Sequence, residues 1–218
     1  MWFEDRTDAG QKLAPLLQKF KMEQPVVLAV PRGGVIVGGE VARDLQIPLD
    51  ILIVRKIGAP FNPEVAIGAV LPDGSAVLDT VLIKKANIAD QYIKQVIEEQ
   101  TAEIRRRQRL YKGTEEMPLL ADKTVIIVDD GIATGYTMEA AILGLRKYKP
   151  QAIIVAVPVA PREIVERLQK VADEVVCLDT PEPFFAVGQF YQNFTQTSDD
   201  EVIRILQKRA EAKQGNFL

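Results

Sequence analysis

The segment Val125–Thr137, VIIVDDGIATGYT, constrains the fold of this chain more than any other stretch. It begins with four apolar residues, a run typical of a buried strand in a parallel sheet. Asp129 and Asp130 follow, and a turn rich in glycine and threonine then leads into an apolar helical pattern. Ligands of open α/β sheets bind outside the carboxyl ends of the strands. The segment therefore predicts a strand–turn–helix unit that carries a ligand site.

The residue types of this turn indicate what the ligand is. A helix N-terminus with free N–H groups and nearby hydroxyls favours a phosphate, and Gly135 permits a close backbone approach. Asp129 and Asp130 would repel that phosphate. We expect them to face either vicinal hydroxyls or a Mg²⁺ ion held through water. A phosphate at one end and a diol at the other describe a ribose 5-phosphate.

On these residues the segment resembles the phosphoribosyl diphosphate (PRPP) signature of type I phosphoribosyltransferases. The resemblance implies that Asp129 and Asp130 hold the ribose hydroxyls, and the metal through those hydroxyls or through water. Gly131 departs from the family pattern, which usually has an aliphatic residue or serine there, and we expect it only to loosen the turn. The implied 5-phosphate loop consists of Ala133, Thr134, Gly135, Tyr136 and Thr137.

Two plainer interpretations of the same segment exist. A strand that ends in two aspartates also opens response-regulator receiver domains, and a Thr/Gly turn can merely cap a helix. The acid pair of a receiver follows its first strand, whereas 128 residues precede Asp129 here. The match over thirteen consecutive positions favours the PRPP site.

A second strand–loop–helix unit precedes this segment. The predicted strand Val26–Val30 ends in a Pro-Arg-Gly-Gly loop. The resemblance implies that this loop contacts the diphosphate of PRPP, often with a strained or non-proline cis peptide, and so Arg32 and Gly33 are predicted diphosphate ligands. The plain interpretation is a tight turn with a solvated arginine.

A third predicted strand, Asp50–Val54, runs directly into Arg55 and Lys56. Cations at the carboxyl end of a sheet strand would stabilise the charge that develops on the leaving diphosphate. With Arg32, Asp129 and Asp130 they complete the predicted catalytic set. A solvated sheet edge would also tolerate both cations.

The next region contains a predicted flap. Gly58–Pro63 is expected to be irregular because it is rich in glycine and proline, and the Asp-Gly turn in Pro72–Ser75 predicts a hairpin. The resemblance implies a mobile flap over about residues 56–80 that closes on PRPP and excludes water from the activated sugar. The arginines of the predicted helix Asn87–Lys112 are expected to form a solvated face or an oligomer surface, because glutamates lie close by.

From Thr180 the alternation of strands and helices breaks. The resemblance implies a hood over the base, formed by about residues 180–197 plus a C-terminal helix. Phe184 or Phe185 would stack on a planar heterocycle, or the aromatic residues would instead pack the hood onto the core.

Composition excludes several classes of function. The chain has 27 basic and 30 acidic residues, a net charge of −3, so no overall field favours nucleic acid or an anionic membrane. The absence of histidine removes histidine bases, Ser-His and Cys-His triads and His-ligated zinc. A single cysteine fits a reducing cytoplasm, and no apolar run approaches the roughly 20 residues that span a bilayer.

The repeated strand–helix alternation predicts an α/β fold with a three-layer, doubly wound, mostly parallel five-stranded sheet, a flap hairpin and a small C-terminal hood. We expect a single phosphoribosyltransferase domain over residues 1–218, with a core at about residues 22–179.

The resemblance implies transfer of 5-phosphoribosyl from PRPP to a ring nitrogen of a nucleobase-like acceptor, with Mg²⁺ as cofactor and diphosphate as the other product. Such an enzyme would act in nucleotide salvage as a homodimer. Ala133 stands where enzymes for 6-oxopurines usually carry an aspartate, which argues against a hypoxanthine–guanine type. The alternative is a non-catalytic PRPP- or nucleotide-sensing regulator on the same fold. A flavodoxin-like nucleotide-binding module would leave Arg55 and Lys56 without a role.

Overall fold

Eight strands form two separate sheets in this computed structural model, which describes residues 1–215. The strands are β1 (Val26–Ala29), β2 (Leu49–Ile51), β3 (Arg55–Ala59), β4 (Asn62–Val70), β5 (Ala76–Leu78), β6 (Thr124–Val128), β7 (Ala152–Val159) and β8 (Glu174–Asp179). The larger sheet has the order β2-β1-β6-β7-β8 and is parallel throughout. The smaller sheet, β3-β4-β5, is antiparallel. The predicted α/β class and five-stranded parallel sheet are confirmed.

Seven α-helices accompany these strands in the described residues. They are α1 (Arg6–Leu17), α2 (Gly33–Leu45), α3 (Thr80–Lys85), α4 (Asp90–Lys112), α5 (Tyr136–Leu145), α6 (Arg162–Leu168) and α7 (Asp199–Gly215). Short 3-10 turns cover Gln18–Phe20, Arg146–Tyr148 and Val187–Phe190. No helix within residues 1–215 combines the length and the apolar character needed to cross a membrane.

The chain divides into two compact units. Unit 1 contains residues 1–52, 118–135 and those from 148 onward, and unit 2 contains residues 53–117 and 136–147. Unit 1 thus holds the parallel sheet, and unit 2 holds the antiparallel one. The expectation of a single domain over the whole chain stays a prediction.

The centre of unit 1 lies at β1 and β6, where every residue is buried. Strands covered on both faces need continuous apolar sequence, which explains the runs VVLA and TVIIV. Leu13 and Leu17 of α1 and Leu45 of α2 are fully buried in the same core. Helix α1 therefore packs its apolar face against the core of unit 1.

The hood packs onto the first residues of the chain. Phe3 forms a parallel bridge with Tyr191, and its N–H donates to the carbonyl of Phe190 at 2.9 Å. Phe3, Phe190 and Tyr191 are buried in one cluster with Val159 of β7. Phe190 and Tyr191 therefore pack the hood onto the core, which was one of the two interpretations of the aromatic residues.

Unit 2 corrects one expectation and confirms another. Gly58–Pro63 is not irregular, because β3 and β4 pair across it with register shifts on both sides of Gly58. These bulges bring the backbone of Pro63 so close that a Cβ at position 58 would lie 2.6 Å from the carbonyl oxygen of Pro63. The predicted hairpin at Pro72–Ser75 is present, with Val70 opposite Ala76.

The arginine-rich helix α4 is ion-paired along its surface. Arg106 and Arg107 donate through Nε to Glu103 at 2.7 and 2.6 Å, and these bonds lower the pKa of the Glu103 carboxyl to about 2. This agrees with the predicted solvated face.

Candidate active site

The loops after β1 and β6 lie side by side because the two strands are neighbours in the sheet. Ala29 is in register with Val128, and the N–H of Val30 donates to the carbonyl of Val128 at 2.8 Å. Parallel strands that end at the same level place their following loops together. The predicted diphosphate loop and the predicted ribose-binding acids therefore meet at one edge of the sheet.

Two glycines make this contact possible. A Cβ on Gly33 would overlap Oδ2 of Asp130 and lie 2.6 Å from its Cγ. A Cβ on Gly34 would lie 2.9 Å from the Cα of Asp129. The Pro31–Arg32 peptide between these glycines and β1 is cis, as the resemblance implied. The Pro-Arg-Gly-Gly loop thus touches the acid pair directly.

The acid pair itself is crowded and partly buried. The N–H of Asp130 donates to Oδ1 of Asp129 at 2.8 Å, and the Asp130 side chain is 16% exposed. Burial, followed by the adjacent charge of Asp130, raises the pKa of the Asp129 carboxyl well above its ordinary value. Strong perturbation by burial and a like charge is typical of functional sites.

Arg6 is a member of this site that sequence reasoning missed. Its Nε donates to Oδ2 of Asp130 at 2.6 Å, and its Nη1 donates to the carbonyl of Thr195 at 2.8 Å. Its guanidinium lies 3.9 Å from the ring centroid of Phe194. Arg6 stands in the first turn of α1, far from the acids in sequence, and no motif marks it.

Tyr191 is the second residue that sequence reasoning did not assign to the site. Its hydroxyl donates to the main-chain carbonyl of Asp130 at 2.6 Å. Burial, followed by the charge of Asp130, raises the pKa of this hydroxyl above its ordinary value, so it stays a donor at neutral pH. The sequence marked this residue only as part of an aromatic cluster.

The predicted 5-phosphate loop leads directly into α5, as expected. Ala133 and Thr134 are exposed, and Tyr136 and Thr137 form the exposed start of the helix. Gly135 has φ of +72°, and a Cβ there would lie 2.7 Å from Cγ2 of Ile164.

Arg167 of α6 contacts this loop. Its Nη2 donates to the carbonyl of Thr134, and a Cβ at position 135 would lie 2.8 Å from that same nitrogen. Nothing in the motif pointed to Arg167, because it lies on the next helix but one.

Gly131 lies in a tightly packed part of the turn. It is buried, with φ of +155°, and a Cβ there would lie 2.5 Å from Cγ1 of Val187 and 3.1 Å from Cγ2 of Val159. The glycine therefore allows Val187 of the hood to pack against the turn.

The predicted diphosphate cations are placed in different units. Arg32 belongs to unit 1, half-exposed, with Nη1 3.7 Å from Oδ1 of Asp199. Arg55 and Lys56 belong to unit 2. The expectation that they directly follow a sheet strand is wrong, because β2 ends at Ile51 and the two cations begin the antiparallel strand β3. The Nε of Arg55 donates to the side chain of Gln100 at 2.9 Å.

The two candidate base-stacking residues differ in exposure. Phe184 packs against Phe190, with ring centroids 5.0 Å apart. Phe185 is 83% exposed, while its backbone N–H is held by Oε1 of Gln189 at 2.8 Å. Stacking on a base stays a prediction, and Phe185 is the residue with an accessible ring.

Asp129 and Asp130 are the candidate protein ligands for Mg²⁺. Within the described part of the chain, no group of three or more His, Cys, Asp or Glu residues could enclose a metal. Mg²⁺ usually binds one or two carboxylates together with substrate phosphates and waters. Asp129 and Asp130 therefore fit an ion that arrives with a phosphorylated substrate.

The geometry agrees with comparisons to known proteins. The family model described as phosphoribosyl transferase domain matches residues 7–194, and the chain belongs to this family. The structure of TT1426 from Thermus thermophilus is similar with a TM-score of 0.85 and 44% identity, and the match covers 95% of this chain and 99% of that one.

Curated relatives give the same family. Two proteins named "Putative phosphoribosyl transferase", from Mycobacterium tuberculosis strains H37Rv and CDC 1551, are 47% identical over 207 residues, which are 94% of this chain and 46% of each relative. The chain thus spans about half the length of these curated relatives. The human "Phosphoribosyltransferase domain-containing protein 1" is 46% identical over 44 residues, 20% of each chain.

Proposed function

We propose that this protein transfers the 5-phosphoribosyl group of PRPP to a ring nitrogen of a nucleobase-like acceptor and releases diphosphate, with Mg²⁺ as cofactor. Membership of the family supports the general reaction. The observation that carries the proposal is the close contact of Gly33 with Asp130. It joins a loop suited to diphosphate to an acid pair suited to ribose hydroxyls, as a single ligand with both groups requires.

The proposed chemistry divides among the residues of the site. Asp129 and Asp130 accept hydrogen bonds from the ribose hydroxyls. The backbone N–H groups of residues 133–137 bind the 5-phosphate. Arg32 and the N–H of Gly33 bind the diphosphate.

The bond between C1 of the ribose and the diphosphate oxygen breaks, and the oxygen keeps the electron pair. The acceptor nitrogen then forms the new bond to C1, and its proton passes to solvent. Between these two steps the sugar is a cation, and its formation needs no protein nucleophile. This suits a chain without histidine. Positioned cations stabilise the charge that develops on the leaving diphosphate. Bound Mg²⁺ would supply further positive charge to the same oxygens.

Unit 2 has a proposed part in this reaction. Arg55 and Lys56 would add charge to the diphosphate, and the β4–β5 hairpin would act as the flap that excludes water. The hood residue Phe185 would stack on the acceptor. Absence of an aspartate at Ala133 supports an acceptor other than a 6-oxopurine. A homodimer, a cytoplasmic location and a role in nucleotide salvage complete the proposal.

The test is diphosphate release from PRPP with Mg²⁺, measured across a panel of purine, pyrimidine, orotate and pyridine acceptors. Release with one acceptor class supports the enzyme. Binding of PRPP without release for any acceptor would instead identify a regulator on the same fold.

The matched variants are Asp129→Asn and Asp44→Asn. Asp129→Asn should weaken PRPP binding at least about tenfold, because the amide offers one acceptor oxygen where the carboxyl group has two, and one of those already accepts from the N–H of Asp130. Asp44 is an exposed carboxylate on α2 whose partner is Gln18, at 2.6 Å, so its substitution should leave PRPP binding unchanged. Asp130→Asn is less informative, because it would remove the partner of buried Arg6 and lower stability as well. Equal PRPP affinity in Asp129→Asn and wild type would refute the assigned site.

A further inference from the structure

Arg6 occupies an unusual environment for a cation. Within the described part of the chain it is the one buried charged residue, with 8% of its surface exposed. Removing a guanidinium from water is unfavourable unless the charge is paired and its donors are used. Arg6 meets this requirement through Asp130, the carbonyl of Thr195 and the ring of Phe194. The burial of this guanidinium beside Asp129 and Asp130 indicates that Arg6 acts on these two carboxylates.

The contact with Asp130 fixes the direction of its carboxylate. Arg6 binds Oδ2 at 2.6 Å, and the planar guanidinium allows little freedom about this bond. The backbone of Gly33 closes the same side, because even a Cβ there would overlap Oδ2. With Oδ2 held, the second carboxylate oxygen has a defined direction in which to accept a hydrogen bond.

The other contacts of Arg6 lie in the hood. Its Nη1 binds the carbonyl of Thr195, and its face stacks on Phe194, whose ring is 5.0 Å from that of Tyr191. Tyr191 in turn donates to the main-chain carbonyl of Asp130. The hood therefore reaches Asp130 by two routes, through Arg6 to the side chain and through Tyr191 to the backbone.

We propose that Arg6 is a positioning residue that orients Asp130 toward the 2-hydroxyl of the ribose, and that the hood segment Phe194–Thr195 holds Arg6 in place for this task. The inference rests on the proposed function, since it concerns the same ribose site. It assigns to the N-terminal helix a part in selecting a ribose over a deoxyribose. Arg6 itself makes no contact with the substrate in this assignment.

The test compares the binding of ribose 5-phosphate with that of 2-deoxyribose 5-phosphate, measured by calorimetry on the full chain. Wild type should bind ribose 5-phosphate about tenfold more tightly, the value of one hydrogen bond to a charged group. Arg6→Gln should bind the two sugars with nearly equal affinity, because the carboxylate has lost its orientation. A merely structural role would weaken both ligands by the same factor and preserve their ratio.

Three further variants make the test more specific. Lys12→Gln removes another ion-paired cation of α1, whose partner Asp8 lies at 2.7 Å, and should keep the wild-type ratio. Phe194→Leu removes the stacking face while Arg6 and Asp130 remain, and should reduce the ratio in part. If Arg6→Gln fails to fold, Arg6→Lys replaces it in the comparison. Lysine keeps the positive charge but lacks the planar guanidinium whose two nitrogens bind Asp130 and Thr195.

The outcomes separate this inference from the function on which it rests. Failure of wild type to prefer ribose 5-phosphate would contradict the ribose-binding role of the acids and, with it, the inference. A wild-type preference that Arg6→Gln or Arg6→Lys retains in full overturns the inference alone. Tighter PRPP binding by an Arg6 variant would also overturn it, because Arg6 would then compete with the sugar for Asp130.

Discussion

Gly33 and Asp130 are packed so closely that no side chain fits between them. A Cβ on residue 33 would overlap Oδ2 of Asp130 and would also lie 2.6 Å from Nε of Arg6. The loop after β1 and the acid pair after β6 therefore form one continuous surface. The close approach depends on the absence of a single methyl group.

Gly33→Ala should consequently push the Asp130 carboxylate out of place. We expect PRPP affinity to fall at least about tenfold and thermal stability to decrease, because the methyl group meets both members of a buried ion pair. The matched control is Gly113→Asn. Position 113 has φ of +72° with nothing within 4 Å of a Cβ, and asparagine tolerates this conformation. Unchanged PRPP affinity in Gly33→Ala would contradict the described contact.

Arg167 should affect phosphate binding by holding the peptide group between Thr134 and Gly135 in one orientation. The Thr134–Gly135 peptide is trans, so the carbonyl that Arg167 holds and the N–H of Gly135 point in opposite directions. The N–H of Gly135 therefore points away from the Arg167 guanidinium. Arg167→Gln should weaken binding of ribose 5-phosphate about tenfold, the value of a charge-assisted hydrogen bond that orders the loop. Arg162→Gln, an exposed change on the same helix, should have no effect.

Tyr191→Phe isolates the second route from the hood to Asp130. Loss of the hydroxyl leaves the Asp130 carbonyl without its 2.6 Å donor, and unfolding free energy should fall by about 1 kcal/mol. Tyr92→Phe is a matched change in unit 2, where the hydroxyl donates to the carbonyl of Gly58 at 2.8 Å. Both variants should lose similar stability in denaturant titrations, and Tyr191→Phe should also weaken PRPP binding. A PRPP affinity equal to that of Tyr92→Phe would show that this bond serves stability only.

An acid-dependent contribution to stability is expected in unit 2. Partial burial opposes ionisation of Asp73, but hydrogen bonds from Lys147 and Ser75 lower the pKa of this carboxyl to about 2. Because the pKa is about 3.9 in an unfolded chain, the contribution is fully present above about pH 4. It is lost as pH falls toward about 2.

The contribution is about 1 kcal/mol or less, because both side chains are more than a third exposed and solvent screens the pair. Asp73→Asn should therefore be less stable than wild type at pH 7 and equally stable near pH 2. Lys147→Met removes the ammonium partner and should show the same convergence. Unfolding in urea at a series of pH values measures this, and a constant gap between Asp73→Asn and wild type would contradict the ion pair.

Local chemistry explains which elements were predictable. β6, the acids and the start of α5 lie within one short segment, and the buried-strand and helix-start signals there do not depend on distant residues. The hairpin at Pro72–Ser75 was predictable for the same reason, since its turn residues select their own geometry. Gly58–Pro63 was misjudged, because a bulge in the pairing of β3 with β4 accommodates residues that ordinarily disrupt strands.

The misplaced boundary at Arg55 has a similar origin. Apolar residues continue from Ile51 through Val54, and nothing in their order shows that the parallel pairing stops at Ile51. Hydrogen-bond partners, which are remote in sequence, determine that end. Periodicity alone does not distinguish a strand from the extended connection that follows it.

The sequence alone was sufficient to predict the fold class, the family resemblance and the two loops at the ends of β1 and β6. Each of these depends on a pattern of contiguous residues. Only the tertiary structure revealed that Arg6 binds Asp130, that Arg167 holds Thr134, and that Gly131 admits Val187. These contacts join residues separated by 33 to 124 positions. Their geometry follows from strand register and helix packing, which bring remote side chains together without leaving any local pattern in the chain.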